Sequence, residues 1–397
     1  MRIAVTLLKI YWLKMNKVYF GDCRESLKQM KEEGVKVQTC ITSPPYYGLR
    51  DYGTATWMGG DENCSHKRDS KHSDKTITGH ANKDLTVGDA IYKAVCPKCG
   101  AVREDSQIGL EESPQAYVDA IVSVFAGVWD VLSDDGTLWV NLGDSYAGSN
   151  GNGSVAQSFG QDKFVEFKSP TSGNGSGIRP KNLIGIPWRV AFALQDFGWN
   201  LRQDIIWHKP NPMPESVEDR CTKSHEYIFL FSKSQKYYFD NKSIQEPAQY
   251  WGERDRTNGK YHNEGTGLTP HTGLTGKKKT NIRFGGNKYG DNDDPLYATK
   301  SGNEWEASEF RNKRSVWTVT TKPYKGAHFA TFPEELVEPM VLAGSKVGDI
   351  VLDPFFGSGT TGQVAQNLSR KWIGCELNKD YEALQFERLK QQSLELI

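Results

Sequence analysis

The chain has 397 residues, and its 49 acidic and 49 basic side chains give a formal net charge of zero at pH 7. With 37% hydrophobic and 25% charged residues, the composition is that of a globular protein with a sizeable core, which excludes a chain disordered throughout. No apolar run approaches the roughly 18 residues of a membrane span, so we expect no membrane partner. The seven cysteines are odd in number and unevenly spaced, which argues against a disulfide framework and favours the reducing cytoplasm.

The first predicted strand, Val18–Gly21, ends at Asp22 and is followed by a short predicted helix, Cys23–Lys31. An acid at the end of a strand can accept hydrogen bonds from a ligand in a cleft, although Asp22 would also serve as the N-cap of the helix. Residues 1–14 are apolar and basic but lack the cleavage site of a signal peptide. We expect them to be a loosely attached extension, with Met15 as an alternative start.

A proline turn, Thr42-Ser-Pro-Pro-Tyr-Tyr47, follows the second predicted strand, Val35–Ile41. Prolines fix the backbone, and the residue before each proline is held extended, so the turn forms a stiff rim. The rim carries the Ser43 hydroxyl, free backbone carbonyls and the ring of Tyr46. This set suits a planar group with an exocyclic amine, because the oxygens accept the amine hydrogens while the ring stacks on its face. Taken alone, the stretch is more simply explained as a proline turn without chemistry.

The cysteine spacing of the next segment is typical of a structural zinc site. Cys96-Pro-Lys-Cys99-Gly100 is half of a zinc knuckle, because the glycine permits the tight turn that aims both thiolates at one ion. Cys64 and His66 would complete a tetrahedral site, and His72 or His80 could take the place of His66. The segment between the two pairs has few apolar residues to bury, so a metal would hold it together. The alternative is a disordered insertion with free cysteines.

Two predicted helices and several strands occupy the middle of the chain. Asp144 follows one of these strands and would lie on the same rim as Ser43, either near a target group or as a loop cap. The segment Ala147–Arg179, rich in Gly, Ser and Asn, is expected to be a long mobile loop. His208 follows another strand, where a structural hydrogen bond is a better explanation than a general base. The predicted elements are the helices Ser113–Leu132 and Pro187–Phe197, the turn Asp134–Gly136, the strands Thr137–Leu142, Trp199–Trp207 and His225–Ser232, and a strand Lys236–Asp240 that pairs with the last in a hairpin.

Residues 249–325 differ in composition from the rest of the chain, because apolar runs give way to Gly, Asn, Lys and Tyr. Within them, residues 253–325 contain 14 basic and 9 acidic side chains, which makes this the one clearly basic region of a neutral chain. Basic groups interleaved with aromatic residues suit contacts to phosphates and bases. A solvated loop region is the alternative.

A strand, a glycine-rich turn and a helix start follow one another near the end of the sequence. The strand Gly348–Leu352 leads into Asp353-Pro-Phe-Phe-Gly-Ser-Gly-Thr-Thr361, and a helix is predicted over Gln363–Leu368. Glycines in such a turn allow the close approach of a nucleotide-type ligand. The Gly-Lys-Ser/Thr ending of a phosphate loop is missing from this turn, and its spacing does not fit GxGxxG. Glu376 ends the next strand, where an acid in a Rossmann-like unit binds ribose hydroxyls, unless it is simply solvated.

Together, the stretches Thr42–Tyr47 and Asp353–Thr361 resemble the two signature motifs of the amino-methylating DNA methyltransferases, the adenine-N6/cytosine-N4 family. The catalytic motif precedes the cofactor motif, which resembles the beta permutation class, and the resemblance extends from Asn16 to Leu389. It implies an α/β fold, the Rossmann-like fold of S-adenosylmethionine-dependent methyltransferases, circularly permuted and carrying a target-recognition region. The zinc-knuckle loop is an insertion beyond the family's minimal core. The last helix, Tyr381–Leu394, would close the sheet.

The resemblance also implies roles for regions and for individual residues. Residues 15–60 and 105–248 would form the catalytic half, 249–325 the target-recognition region and 326–397 the cofactor-binding half, and the insertion at 61–104 would bind zinc. The catalytic residues would be Ser43, Pro44, Pro45 and Tyr46. The residues that would bind S-adenosylmethionine are Asp22, Cys23, Thr331, Phe332, Asp353, Pro354, Phe355, Gly357, Ser358, Gly359, Thr360, Glu376 and Asn378.

The expected activity is site-specific transfer of methyl from S-adenosylmethionine to the exocyclic amine of a base flipped out of double-stranded DNA. Ser rather than Asp at the first position of the catalytic motif resembles the cytosine-N4 branch, and adenine N6 is the alternative. Two other classes stay open: an NAD-dependent dehydrogenase, which would leave Ser-Pro-Pro-Tyr unexplained, and a catalytically inactive zinc-bearing DNA-binding protein. Besides DNA, a homodimer and a cognate restriction endonuclease are left open as partners.

Overall fold

The computed structural model describes residues 16–49, 52–66, 95–148, 155–158, 164–167, 177–248, 310–321 and 333–390. Several sequence predictions lie outside these ranges: the extension 1–14 with Met15, the alternative ligands His72 and His80, most of the basic region, Thr331 and Phe332, and the end of the last helix. In the described part of the chain, no helix combines the length and the apolar character that crossing a membrane requires.

Strands and helices alternate along much of the described chain. The strands are β1 (Lys17–Phe20), β2 (Val37–Thr42), β3 (Thr56–Met58), β4 (Val102–Glu104), β5 (Leu132–Leu142), β6 (Val155–Ser158), β7 (Phe164–Phe167), β8 (Asn200–His208), β9 (His225–Ser232), β10 (Glu246–Pro247), β11 (Phe310–Arg311), β12 (Val316–Thr318), β13 (Ile350–Asp353) and β14 (Lys371–Glu376). The helices are α1 (Cys23–Glu32), α2 (Pro114–Val131), α3 (Ile186–Phe197), α4 (Glu334–Gly344), α5 (Thr360–Asn367) and α6 (Glu382–Lys390).

Eight strands form one sheet in the order β1-β14-β13-β2-β5-β9-β8-β12. All neighbouring pairs are parallel except those of β9, which runs antiparallel to both β5 and β8. Strands from the beginning and the end of the chain meet near the centre of the sheet, where β2 pairs with β13. The segments that follow these two strands therefore become neighbours at one edge of the sheet, although 311 positions separate Thr42 from Asp353.

Helices cover both faces of this sheet, as the apolar character of its central parallel strands requires. Successive residues of β5, Leu138 and Trp139, belong to different hydrophobic clusters, because the side chains of a strand alternate between the two faces. One cluster contains Phe125 of α2 and Leu194 of α3. The other contains Met340 of α4. The sheet is thus the middle layer of three, as the prediction of a doubly wound α/β fold requires.

Three predictions of local structure are wrong. The expected turn Asp134–Gly136 is part of β5, which runs without interruption from Leu132 to Leu142. The segment Lys236–Asp240 forms no strand: the Tyr238 amide donates to the Asp135 carbonyl and the Asp240 amide to the Ala343 carbonyl, so the segment runs from the start of β5 to the end of α4. Within the expected loop Ala147–Arg179, β6 and β7 form an antiparallel pair. Polar composition suggested a turn and a loop where strands form, and a short aromatic run suggested a strand where none forms; backbone pairing decided all three outcomes.

The described chain divides into two compact units, one formed by the residues up to Ile244 and from Arg314 onward, the other by Gln245–Lys313. In the second unit, β10 pairs antiparallel with β11, and Arg311 Nε donates to Glu246 Oε1 at 3.0 Å. Its limits fall within or close to the region that the sequence assigned to target recognition. The cavity and the cysteine–histidine cluster described below belong entirely to the first unit.

Candidate active site

A cavity of about 790 Å³ opens at the carboxyl edge of the sheet, where the catalytic motif after β2 lies beside the glycine loop after β13. Residues from β5, β8, β9 and β14, together with those that directly follow β1, complete its wall. The lining includes, of the predicted site residues, Asp22, Cys23, Ser43, Pro44, Pro45, Tyr46, Asp353, Pro354, Phe355, Gly357, Ser358, Thr360, Glu376 and Asn378. The structure therefore brings both predicted motifs to one cavity of the size that binds small molecules.

The Ser43 hydroxyl lies on the rim between two acceptors. Its oxygen is 3.3 Å from Asn141 Oδ1 and 3.5 Å from the Tyr46 hydroxyl oxygen. Ser43 can donate its single proton to either of these two oxygens. Its lone pairs thus stay available to accept a hydrogen bond from a group in the cavity. The Tyr46 hydroxyl can donate its own single proton to Glu226 Oε2 at 2.6 Å or to Asn141 Oδ1 at 3.0 Å, and the contact to Glu226 is the shorter. Burial and the nearby Glu226 charge raise the pKa of Tyr46 well above its usual range.

Contacts from α2 and from the residue after β5 fix the position of the proline turn. The hydroxyl of buried Tyr117, on α2, donates to the Pro45 carbonyl at 2.8 Å. A Cβ at Gly143, just after β5, would lie 2.5 Å from Tyr46 Cε2, so only glycine lets the ring take this position. Because the Pro45 carbonyl is engaged, the Pro44 carbonyl is the one we associate with a ligand.

Asp353 joins the catalytic strand to the glycine loop. Its carboxylate is buried and accepts from Thr42 Oγ1 at 2.6 Å, from the Phe355 amide at 3.0 Å and from Thr361 Oγ1 at 2.7 Å. A carboxylate offers about four acceptor positions, so one remains for a donor in the cavity. Burial raises the pKa of Asp353 to about 6, against hydrogen bonds that act in the opposite direction.

Glu376 ends β14 and also faces the cavity. It accepts from the Gly357 amide at 2.7 Å and from the Asn378 amide at 2.8 Å, so it is not the simply solvated acid that the sequence allowed. Burial raises the pKa of Glu376 to about 7. Asp353 and Glu376, two of the four acids that line the cavity, are thus the ones whose raised pKa values reflect the cost of desolvating a charged carboxylate.

Two buried polar residues of α6 hold the glycine loop, and the sequence analysis missed both. Gln385 Nε2 donates to the Gly357 carbonyl at 2.6 Å, and Arg388 Nη1 donates to Ser358 Oγ at 2.6 Å and to Thr360 Oγ1 at 2.7 Å. Their side chains are buried. A spacing of three residues places both side chains on one face of the helix. This shared face is the feature of the sequence that could have identified them.

Asp22 caps α1 by accepting from the Arg24 amide and also lines the cavity, so its position is compatible with both roles that the sequence allowed. Burial acts to raise the pKa of Asp22, but the hydrogen bonds and charge of Arg24 outweigh it and lower that pKa. Burial raises the pKa of the adjacent Cys23 thiol to about 12, so this thiol stays protonated.

Asp144 and His208 have structural partners. Asp144 accepts from the amides of Gly185 and Ile186 at the start of α3, which agrees with the capping role. His208 Nδ1 lies 3.2 Å from Thr318 Oγ1, in agreement with a structural hydrogen bond. Neither residue is among the described residues that line the cavity.

Cys64, His66, Cys96 and Cys99 form a compact cluster, in which one ligand atom from each residue lies within 4.8 Å of the others. Cys64 Sγ is 3.8 Å from Cys96 Sγ, and Cys99 Sγ is 3.5 Å from His66 Nδ1. The Gly100 amide closes the expected tight turn by donating to the Cys96 carbonyl at 2.7 Å. Because thiolates bound to one zinc ion in a tetrahedron lie about 3.8 Å apart, the four side chains fit that metal.

The cluster sits on a hairpin whose base reaches the cavity. Antiparallel pairing of β3 with β4 continues into the cluster, and the Trp57 ring stacks on the His66 ring at 4.3 Å. At the other end, the Tyr52 amide donates to Gln107 Oε1 at 2.7 Å, and Tyr52, Gln107 and Ile108 line the cavity. The insertion is therefore continuous with a wall of the cavity.

A permuted Rossmann-like sheet with a glycine loop and a Ser-Pro-Pro-Tyr rim on one cavity defines an S-adenosylmethionine-dependent methyltransferase. The chain belongs to the N6/N4 DNA methyltransferase family, whose family model, described as DNA methylase, matches residues 37–387. The protein is accordingly a DNA methyltransferase that methylates the cytosine-N4 or the adenine-N6 amine, and the predicted family, fold class and enzyme class are confirmed.

Curated relatives and a solved structure agree with this assignment. Type II methyltransferase M.SmaI from Serratia marcescens is 37% identical over 378 residues, which cover 95% of this chain and 91% of the relative. Type II methyltransferase M.Cfr9I from Citrobacter freundii is 35% identical over 380 residues, covering 96% and 89%. The PvuII DNA methyltransferase, named as cytosine-N4-specific, has the same fold, with a TM-score of 0.50 at 17% identity over 95% of this chain and 87% of that one.

Proposed function

We propose that the protein methylates the N4 amine of a cytosine that is flipped out of a specific double-stranded DNA sequence. One observation carries this proposal: the Ser43 hydroxyl faces the cavity beside the glycine loop, with its proton directed towards Asn141 or Tyr46 and its lone pairs available. A neutral hydroxyl can accept from either amine, so the preference for cytosine rests on the resemblance of Ser-Pro-Pro-Tyr to the cytosine-N4 branch. Adenine N6 is the alternative within the same fold and mechanism.

In this proposal, Ser43 and the Pro44 carbonyl accept the two hydrogens of the amine, and Tyr46 packs against the base. The hydrogen bonds draw the nitrogen lone pair out of conjugation with the ring and direct it towards the sulfonium methyl. Because transfer removes the positive charge of the sulfonium, alignment of nitrogen, methyl and sulfur supplies most of the acceleration. Pro45 keeps the rim rigid, since its carbonyl is bonded to Tyr117.

We assign the cofactor to the part of the cavity around the glycine loop. The remaining acceptor position of Asp353 suits the ammonium of the methionine moiety, and Glu376 keeps acceptor positions for ribose hydroxyls. The cavity residues Asp22, Cys23, Pro354, Phe355, Gly357, Ser358, Thr360 and Asn378, together with neighbouring Gly359, would surround the rest of S-adenosylmethionine. Roles for Thr331 and Phe332 stay predictions, as both lie outside the described residues.

Product identification tests the choice of base. The full-length protein is incubated with mixed-sequence duplex DNA and S-adenosylmethionine, and the DNA is digested to nucleosides that are separated by mass. We expect N4-methylcytosine. N6-methyladenine would change the base and leave the proposed mechanism intact, whereas an unmethylated duplex in the presence of bound cofactor would contradict the proposed DNA substrate.

We also propose that the four-residue cluster holds a structural zinc ion. Zinc would tie β3 and β4 together and would supply no catalytic step, since methyl transfer to an amine requires no metal. Gly60 supports this arrangement: a Cβ there would lie 2.9 Å from Cys99 Sγ, so the backbone must pass close to the ligand. The hairpin is too short to be stabilised by burial alone, which favours a metal as its support.

The protein as purified is expected to contain about one zinc ion per chain. Cys96→Ser should remove most of this zinc and lower the midpoint of thermal unfolding, because the thiolate is one of four ligands. Metal analysis by mass spectrometry and a thermal scan provide the two readouts. Cys221→Ser is the matched control, since Cys221 is an exposed free cysteine away from the cluster. Equal zinc content in both variants, or no zinc in the wild-type protein, would exclude the site.

The relatives' designation as Type II methyltransferases supports a cognate restriction endonuclease as a functional partner. Residues 249–325 are proposed to read the target sequence, on the basis of their basic composition. A homodimer and a location in the cytoplasm, where DNA and S-adenosylmethionine meet, stay predictions. The family assignment argues against the dehydrogenase, and the intact catalytic motif argues against an inactive DNA-binding protein.

A further inference from the structure

A carboxylate that the mechanism does not yet use lies against the catalytic motif. Glu226 is the second residue of β9, and its side chain is only 13% exposed at the cavity wall. Because β9 runs antiparallel to its neighbours, its first residues lie at the same edge of the sheet as the ends of β5 and β8. Glu226 accepts from the Tyr46 hydroxyl at 2.6 Å and is paired with Lys209.

Two hydroxyl groups connect the proposed position of the amine to this carboxylate. Ser43 Oγ lies 3.5 Å from the Tyr46 hydroxyl oxygen, and that hydroxyl donates to Glu226 Oε2. Each hydroxyl can accept one proton while it releases another. A proton can therefore move along the row from Ser43 through Tyr46 to Glu226. The raised pKa of Tyr46 agrees with a hydroxyl that passes a proton on and does not stay ionised.

Methylation of an exocyclic amine produces one proton that must leave. The nitrogen forms a bond to the methyl carbon while the carbon–sulfur bond breaks, so the sulfur becomes neutral and the nitrogen carries a positive charge with two hydrogens. One of these protons is lost to give the neutral methylamine. Ser43 cannot hold it, because a protonated hydroxyl is a strong acid, and an uncharged amide such as Asn141 is also a poor base.

We propose that Glu226 is the proton acceptor of the reaction and that Tyr46 relays the proton to it from Ser43. The amine proton passes to Ser43 Oγ, the Ser43 proton to the Tyr46 oxygen, and the Tyr46 proton to Glu226 Oε2, so each hydroxyl ends neutral and Glu226 ends protonated. Lys209 is ion-paired with Glu226 and compensates the negative charge of its carboxylate at the cavity wall. This proposal rests on the role of Ser43 given under the proposed function and applies to either base.

Tyr46→Phe and Glu226→Gln separate proton acceptance from positioning. Phenylalanine keeps the ring and removes the hydroxyl. Glutamine keeps the shape, and its amide oxygen still accepts the hydrogen bond from Tyr46, but it cannot take up a proton. If Glu226 only positioned Tyr46, the glutamine variant would retain its activity.

The experiment measures the single-turnover rate of methyl transfer with the full-length protein, saturating S-adenosylmethionine and duplex DNA. Both variants are expected to react about 100-fold more slowly, the lower end of what general acid–base catalysis contributes, with unchanged affinities for cofactor and DNA. The double variant should be no slower than either single variant, because both interrupt one relay. Tyr238→Phe and Glu338→Gln, which alter residues outside the cavity lining, are the controls and should keep the wild-type rate.

A wild-type rate for Glu226→Gln would reduce Glu226 to a positioning residue and overturn the proposal, as would a wild-type rate for Tyr46→Phe. Additive losses in the double variant would also contradict a single relay. None of these outcomes bears on the proposed function, which fails if Ser43→Ala remains active or if N4-methylcytosine is not formed.

Discussion

Ser43→Ala is expected to lower the rate of methyl transfer by about 10²- to 10³-fold, the usual loss when one preorganised hydrogen-bonding group of a transition state is removed. The hydroxyl is the side-chain acceptor on the rim that faces the proposed amine, while the glycine loop that we assign to the cofactor follows a different strand. Binding of S-adenosylmethionine should therefore be unchanged. The rate is measured in single turnover and the affinity by calorimetry.

Ser123→Ala provides the matched control, because Ser123 lies on the exposed side of α2 and donates only to the Ala120 carbonyl of its own helix. It should behave as wild type in both measurements. If Ser43→Ala retained the wild-type rate, the amine would have to be oriented by other groups, and the assignment of the catalytic motif would be wrong. A loss of cofactor affinity together with activity would point instead to a general disturbance of the cavity.

The sequence predicted those parts of the site that are local in the chain. Ser43 and Tyr46 belong to one short motif after a strand, and Asp353 and Gly357 to another, so strand–turn patterns could identify both. The pairing of β2 with β13 then follows from the permuted fold, because parallel strands need crossover connections and end at the same edge of the sheet. The cysteine–histidine cluster was likewise marked by its own spacing.

The parts that the sequence left out depend on long-range geometry. Glu226 lies 180 positions from Tyr46, and nothing near it in the sequence marks it as a site residue. Its position follows only once β9 is known to run antiparallel, which puts the start of that strand at the catalytic edge. Arg388 reaches back 28 positions to Thr360 from a helix that looked merely amphipathic. Hydrophobic periodicity predicts elements, but it does not specify which buried polar groups meet.

Cofactor binding is expected to tighten as the pH rises from about 5 to 8, because a cationic ligand favours the ionised forms of the two buried acids. In the free protein, the pKa of Asp353 is raised by burial to about 6 and that of Glu376 to about 7. An acid with a raised pKa in the folded state stabilises the fold at low pH and loses this contribution as the pH rises through that value. The stability of the free protein should consequently fall over the range in which affinity for S-adenosylmethionine increases.

Asp353→Asn is expected to weaken cofactor binding at pH 8 by at least about 30-fold, which corresponds to the roughly 2 kcal/mol or more lost when one partner of a buried charge pair is neutralised. Asparagine has the same shape, and the hydroxyls of Thr42 and Thr361 can rotate to donate or accept, so the loop should persist. The free variant should unfold no more easily than wild type at pH 8, since no buried charge has to be desolvated. Calorimetry and denaturant unfolding measure the two effects.

Asp349→Asn, at the opposite end of the same strand, is the control and should change neither cofactor affinity nor stability. Wild-type affinity in Asp353→Asn would limit the role of Asp353 to holding the loop.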